Sequence, residues 1–481
     1  MFGLPLRALR SVSHYSTVAP KQLFPTKTIK SLLADNQPKD TEVLLRGWVR
    51  SVRKQKQVCF AMVNDGSTLK GIQAILNEDD AKNLSVAFRL STGACVELKG
   101  LLSDSPGQEQ AKELQVDAVR VLGECDNSYP LQKKRHSLEF MRNLGHLRAR
   151  ANTGSAVLRV RHAASEGLHQ FFASQEFILT NTPILTSGDC EGGGEVFKVT
   201  PGSATPSTQD EFFKKPVYLT VSGQLHAEIM ASAFSRVYTF GPVFRAEESV
   251  TSRHLAEFWM LEAEMSFIDQ IDQLLDVTEA SIQHTTRHVL DTCAEDLAFF
   301  NQWTDKTLLD RLHKSIEKPF ARMTYTEAID VLQRVQDKEK RFEFPTVWGS
   351  SLQSEHERYL ASEYCGRPVF VTDYPANLKP FYMRTNNDGK TVGCFDLLIP
   401  GVGELVGGSM REERLDVLTQ KMELAGMNVE EYGWYLDLRK YGSAPHGGYG
   451  IGFERLLLWL TGLENVREVV PVPRWVGHCK Y

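Results

Sequence analysis

The sequence predicts two folded units in series, a small all-β barrel followed by a larger α+β domain. Two patterns predict it. Short runs of alternating, β-prone residues crowd the stretch 42–124, and beyond 151 long helical stretches are mixed with apolar strands bounded by Gly, Pro or Asp. In the first stretch the strands are Glu42–Arg50, Gln57–Val63, Gly71–Leu76, Cys95–Gly100 and Leu114–Leu122, with a turn at Asn64-Asp-Gly-Ser67. Five such strands suit a small barrel, and an SH3-like or other small β module fits the pattern as well. Residues 125–150 read as a basic connector carrying Lys133, Lys134, Arg135, His136, Arg142, Arg148 and Arg150. Beyond it, helices are expected near 154–174, 275–296 and 413–426, and strands near 217–222, 236–240, 368–372, 392–399 and 403–406.

Bulk composition narrows the classes. The 481 residues carry a net charge of −5, so a nucleic-acid partner would have to be met by local basic stretches. Eight cysteines form no CxxC pair and no zinc spacing, which reads as free thiols in a reducing compartment. No apolar run approaches the length of a membrane span, so no membrane association is expected. The first acid is Asp35; before it stand Arg7, Arg10, Lys21, Lys27 and Lys30 with Ser11, Ser13 and Ser16. That acid-poor, Arg- and Ser-bearing composition is expected of a mitochondrial transit peptide, over about 1–25, and hence of a matrix protein. A basic tail without a targeting role has the same composition.

Two segments carry chemistry. The first is Phe244-Arg-Ala-Glu247, followed by Arg253-His254 and Glu257-Phe258. Arg245 can make fork-like bonds to a phosphate, Glu247 can accept from an exocyclic amine, and Phe258 offers a flat face to a base. Arg253 and His254 add donors where a polyphosphate would extend. The second is Gly448-Tyr-Gly-Ile-Gly-Phe-Glu-Arg455. Its alternating glycines allow close backbone approach on a strand, and Arg455 falls where that strand passes into a helix. Either feature alone fits a surface ion pair or simple packing.

Together the segments resemble motifs 2 and 3 of the class II aminoacyl-tRNA synthetases, and a long helix ending at Gln175-Glu-Phe-Ile-Leu-Thr-Asn-Thr-Pro183 resembles motif 1. The resemblance covers about 42–475 and points to the aspartyl/asparaginyl/lysyl branch. It implies an OB-fold anticodon-binding domain at 26–124, a hinge at 125–150 and a class II catalytic domain at 151–481, an antiparallel sheet flanked by helices. It implies a homodimer built on motif 1. It also implies that Arg245 holds the α-phosphate of ATP and Arg455 the γ-phosphate, that Phe258 stacks on adenine, that Glu247 reads its amino group, and that Arg253 and His254 lie by the pyrophosphate. Asp396 and Glu404 resemble the carboxylates that bind Mg²⁺ in the family. In the barrel, Phe60 is the expected stacking platform for the anticodon and Gln73 its edge reader. Arg46 and Arg50, with Lys54 and Lys56, would meet phosphates.

The amino acid follows from smaller differences. Ser222-Gly-Gln224 resembles the segment that holds the substrate amino group, aided by a loop around Glu191. Aspartyl enzymes carry a Lys where Ala227 stands, and that Lys meets the substrate carboxylate. Here Arg411 is expected to read a side-chain carbonyl and Glu262 an amide NH₂, with Glu264 a second choice for Glu262. An aspartate would put a second carboxylate against Glu262. Strings such as Leu219-Thr-Val-Ser-Gly-Gln-Leu225 and Gly407-Gly-Ser-Met-Arg-Glu-Glu-Arg-Leu-Asp416 resemble the asparaginyl branch. The expected partners are therefore asparagine, ATP and tRNA(Asn), joined through an asparaginyl-adenylate. Two rivals remain at this stage: an aspartyl enzyme, and an inactive RNA-binding relative.

Overall fold

The computed structural model describes the chain apart from residues 1–23, 25, 35–40, 56, 78–85, 87–88, 107–111, 133, 135, 189–195, 202–211 and 250. The expected transit segment, except Phe24, lies outside the described residues, as do Lys56, Lys133, Arg135 and Glu191. The chain divides into two compact units, Met1–Arg135 and His136–Tyr481. The boundary cuts the basic stretch that sequence pattern assigns to a connector. Its second half folds with the larger unit, where buried Arg148 donates to the carbonyl of Arg467 at 3.0 Å and Arg142 pairs with Glu468.

The smaller unit is a closed barrel of β1 (Thr41–Lys54), β2 (Val58–Asn64), β3 (Ile72–Asn77), β4 (Cys95–Asp104) and β5 (Lys112–Gly123), in the order β1-β2-β3-β5-β4. Strict alternation turns Val43, Leu45 and Val49 inward, to meet Cys59, Ala61 and Val63 of β2 and Ile72, Ala74 and Leu76 of β3. The expected turn forms between β2 and β3. Gly66 adopts φ +88°, and the side chains of Asn64 and Asp65 accept the N–H groups of Gly66 and Ser67 at 2.6 and 3.0 Å.

The larger unit is built on an eight-stranded sheet. In chain order its strands are β6 (Ile178–Leu179), β9 (Arg236–Phe244), β10 (Glu257–Ser266), β11 (Ala321–Thr324), β12 (Val369–Thr372), β13 (Cys394–Ile399), β14 (Gly403–Met410) and β15 (His446–Gly452). Across the sheet they run β11-β12-β13-β14-β15-β10-β9-β6. Six central strands are antiparallel, and the strand at each edge pairs in parallel. The helices Asn152–Ser174 and Ile271–Thr292 pack on each other beside it. The second starts four residues earlier than expected and breaks at Cys293, where a new helix, Ala294–Trp303, begins.

The strand expected at 217–222 is reduced to β8 (Tyr218–Leu219), paired with β7 (Leu185–Thr186). Thr220 still bonds to the backbone of Ile184 and Phe244, but from Ser222 on polar side chains take up the backbone groups that a ladder would use. The Thr220 hydroxyl donates to the carbonyl of Ser222 at 2.6 Å, and the Ser222 hydroxyl accepts the N–H of Gln224 at 3.1 Å, where the helix Gln224–Phe234 starts. Among the described residues no helix is long and apolar enough to cross a membrane.

Candidate active site

Strand β10 organises the site. Its period-two alternation sends Leu261, Ala263 and Met265 into the core and Phe258, Met260, Glu262 and Glu264 toward one cavity. On the neighbouring β15, glycines stand opposite three of these: Gly452 opposite Met260, Gly450 opposite Glu262 and Gly448 opposite Glu264. Their purpose is space. A Cβ on Gly448 would come within 2.2 Å of Glu264 Oε1 and 2.3 Å of the Ala263 carbonyl, and one on Gly450 within 2.7 Å of Met260 Cε.

At one end the cavity gathers Arg245, Glu247, Arg253, His254, Phe258 and Arg455. The Arg245 guanidinium lies over the Phe258 ring, 5.6 Å from its centroid. Glu247 stands 3.9 Å from Arg245 and 3.4 Å from His254 Nε2. Arg253 donates to the Ser354 hydroxyl at 2.8 Å and faces Glu357 at 3.5 Å. Arg455, on the first turn of the helix Phe453–Thr461, donates to the Glu404 carbonyl at 2.9 Å and approaches its carboxylate at 3.3 Å.

Asp396 and Glu404 meet at the middle of the cavity. Asp396 pairs with Gly407 across β13 and β14. A bulge in β14 resets the alternation, so that Glu404 faces Leu398 and emerges on the same side as Asp396. Gly407 leaves the space between them open: a Cβ there would sit 3.4 Å from Glu404 Oε1 and 3.8 Å from Asp396 Oδ1. Burial pushes the Asp396 carboxyl up, and the Glu404 charge adds to this against Lys379. Burial also acts on Glu404, but Arg455 and Lys379 outweigh it and hold that carboxyl below its usual range. Two hard oxygen donors sharing one opening fit a Mg²⁺ ion that completes its shell with water and phosphate oxygens.

Sequence reasoning missed Lys379. Its ammonium contacts both Asp396 oxygens, at 2.9 and 2.8 Å, over the Tyr374 ring. The string Lys379-Pro-Phe-Tyr-Met-Arg384 was the available signal, but nothing in it announces a partner seventeen residues on.

The other end of the cavity holds Ser222, Gln224, Glu262, Glu264 and Arg411. Glu262 accepts from the Ser222 hydroxyl and, at 2.7 Å, from the N–H of Gly223. Arg411 is not paired with Glu262. It forms a two-pronged ion pair with Glu264, its Nε 3.3 Å from Oε2, and donates to the Ser409 hydroxyl at 2.7 Å. Burial raises the Glu264 carboxyl to about 7 despite that guanidinium, with the nearby Glu228 charge adding to the rise. Ala227 packs with Ala231 and Val237. Glu191 lies outside the described residues.

In the barrel, Phe60 and Gln73 point outward on adjoining strands, both half-buried. The Arg53 guanidinium, unforeseen from the sequence, covers the Phe60 ring at 4.8 Å. Arg46 stands apart, exposed and paired with Glu97 on β4 at 2.7 Å.

An antiparallel sheet that carries an arginine-bearing hairpin, a glycine-bare strand and a carboxylate pair around one cavity defines a class II aminoacyl-tRNA synthetase catalytic domain. The chain belongs to that family: residues 137–476 match the tRNA synthetases class II (D, K and N), and residues 43–122 match the OB-fold nucleic acid binding domain.

Its relatives are more particular. The asparagine–tRNA ligase of Nostoc sp. is 51% identical over 465 residues, spanning 95% of this chain and 99% of the relative. That of Protochlamydia amoebophila is 50% identical, over 92% and 96%. Among solved structures, asparaginyl-tRNA synthetase from Pyrococcus horikoshii complexed with asparaginyl-adenylate superposes with a TM-score of 0.81 at 30% identity, covering 92% of this chain and 96% of that one. The Entamoeba histolytica enzyme with the same adenylate gives 0.79 at 28%, over 93% and 98%.

Proposed function

We propose that this chain joins asparagine to tRNA(Asn) in two steps, with ATP and Mg²⁺, as a homodimer of the mitochondrial matrix. One observation carries the choice of amino acid: the only guanidinium at the amino-acid end among the described residues, that of Arg411, is already matched by Glu264, and Glu262 lines the same end of the cavity. Such a pocket offers N–H donors to a carbonyl and an acceptor to an amide NH₂. An aspartate side chain would be a third carboxylate there, and the one lysine lining the cavity among the described residues, Lys379, is already held by Asp396.

In the first step the asparagine carboxylate attacks the α-phosphorus of ATP in line, forming the acyl–phosphate bond and releasing pyrophosphate. Arg245 steadies the α-phosphate, Arg455 the γ-phosphate, and Phe258 and Glu247 fix the adenine. Mg²⁺, held by Asp396 and Glu404, would neutralise charge on the phosphates. In the second step the terminal 3′-hydroxyl of the tRNA attacks the acyl carbon, the ester forms and AMP leaves. No protein nucleophile is needed. The outward Phe60, with Gln73 and Arg53 beside it, supplies a surface for splayed anticodon bases.

The dimer is supported by apolar side chains left in solvent around edge strand β6: Ile178, Leu179, Ile184, Leu185 and Phe234. The matrix location is supported by the acid-free, basic first residues. Pyrophosphate exchange with asparagine and with aspartate tests the activity: asparagine alone should support exchange, and equal use of aspartate would overturn the assignment. Sedimentation equilibrium tests the dimer, and fractionation of cells expressing a tagged chain tests its location.

A further inference from the structure

We propose that Glu228, a carboxylate one layer behind the amino-acid end of the cavity, neutralises Arg411 and thereby shuts aspartate out. The inference rests on the assignment of Arg411 as the reader of the asparagine carbonyl.

Glu228 lies one turn beyond Gln224 on the helix Gln224–Phe234, and its side chain has no exposure. It does not stand on the cavity wall but grips two residues that do. Its Oε1 accepts from Gln224 Nε2 at 3.1 Å and lies 3.9 Å from Arg411 Nε. The rest of the carboxylate is enclosed by Tyr435, whose hydroxyl donates at 2.8 Å, by Arg439 at 2.7 Å and by His446 at 3.3 Å. Burial alone would push this carboxyl up. Arg439, His446 and Arg411 overcome that and hold it well below the carboxylate range, so it stays ionised.

A packing role alone does not explain this arrangement, because an ion so deeply buried costs far more than an apolar side chain of the same size. The charge has an effect at the wall. Arg411 lies between Glu264 on its cavity side and Glu228 behind it. A neutral amide needs only a hydrogen bond from that guanidinium. An aspartate carboxylate needs its net charge, and two acids already claim it. Removing Glu228's charge would leave Arg411 with one acid, Glu264, in place of two, so that a substrate carboxylate meets less opposing charge behind the guanidinium.

The test is pyrophosphate exchange by the full chain, read as the ratio of kcat/KM for asparagine to that for aspartate. In Glu228→Gln the ratio should fall at least tenfold, with a rise in aspartate use. In Glu228→Asp, which keeps the charge but shortens its reach, the ratio should hold even as both rates drop. If both amino acids lose equally in Glu228→Gln, the residue is merely structural and the proposal is overturned. Should Glu228→Gln fail to fold because Arg439 is stranded, Glu228→Gln with Arg439→Gln carries the same expectation, and an unchanged ratio there overturns it equally. Arg411→Gln is measured alongside. If it activates asparagine as the wild type does, the underlying assignment of Arg411 has failed. If it is defective while Glu228→Gln keeps the ratio, this inference alone has failed.

Discussion

The carboxylate of Glu262 accepts the backbone N–H of Gly223 at 2.7 Å. That bond ties the middle of β10 to the entrance of the helix Gln224–Phe234, so the residue expected to read the amide is aimed by the residues expected to hold the substrate's amino group. The Ser222 hydroxyl completes the tie.

Ser222→Ala should therefore misdirect Glu262 as well as lose a hydroxyl. A hydrogen bond to a charged group contributes ~1.5 kcal/mol or more, so the KM for asparagine should rise roughly tenfold. Exchange measured over a range of asparagine concentrations reads this; an unchanged KM would mean that the tie is idle.

Gly448→Ala places a methyl carbon on Glu264 and on the carbonyl of Ala263, and the backbone cannot retreat. A melting temperature several degrees lower is expected, from an overpacking cost of ~1–3 kcal/mol, together with loss of exchange. A stable, active variant would show that the pleat has slack there.

Arg455→Ala removes one of the cations at the phosphate end and frees the Glu404 carboxylate it faces. Exchange should fall by roughly 10²-fold or more. Activity near that of the wild type would remove Arg455 from the ATP site.

Glu264 carries a pH signature. Its ordinary value of 4.5 is raised to about 7 on folding. The folded state then binds more protons than the unfolded one between those values, so stability present below 4.5 is lost as pH rises toward 7. The loss is at most on the order of 3 kcal/mol. Glu264→Gln lacks it, so the melting temperature of the wild type relative to this variant should be higher at pH 5 than at pH 7.5. A difference that does not vary with pH would refute the shift.

Phe60→Ala should separate the two steps. Stacking contributes ~1–3 kcal/mol per base, so the KM for tRNA(Asn) in aminoacylation should rise by tenfold or more, while tRNA-independent exchange is untouched. An unaltered KM for tRNA would move the platform elsewhere.

Much of this architecture could be read from residue order alone. The barrel strands declare themselves because period-two alternation and an Asn-Asp-Gly turn are local signals. The residues around the nucleotide end came together because two short strings contain nearly all of them. What escaped were the pairings between strings. Glu262 and Glu264 share a strand face and a chemistry, and only the approach of Arg411 from β14 decides that Glu264 receives the guanidinium. Lys379 escaped for the same reason, since it sits in a bend and its partner lies on β13. The short β8 shows the reverse failure, in which an apolar run reads as a strand until neighbouring hydroxyls capture its backbone.

The face of β10 that carries Phe258, Met260, Glu262 and Glu264 works as a ruler. At about 3.3 Å per residue, the ring expected under adenine and the acid expected beside the amide are set roughly 13 Å apart by pleat geometry alone. Every graduation sits on one ribbon, so none can drift independently. A slip of one residue would turn all four side chains to the helix-packed side at once. Such a device gauges a nucleotide and an amino acid together or gauges neither.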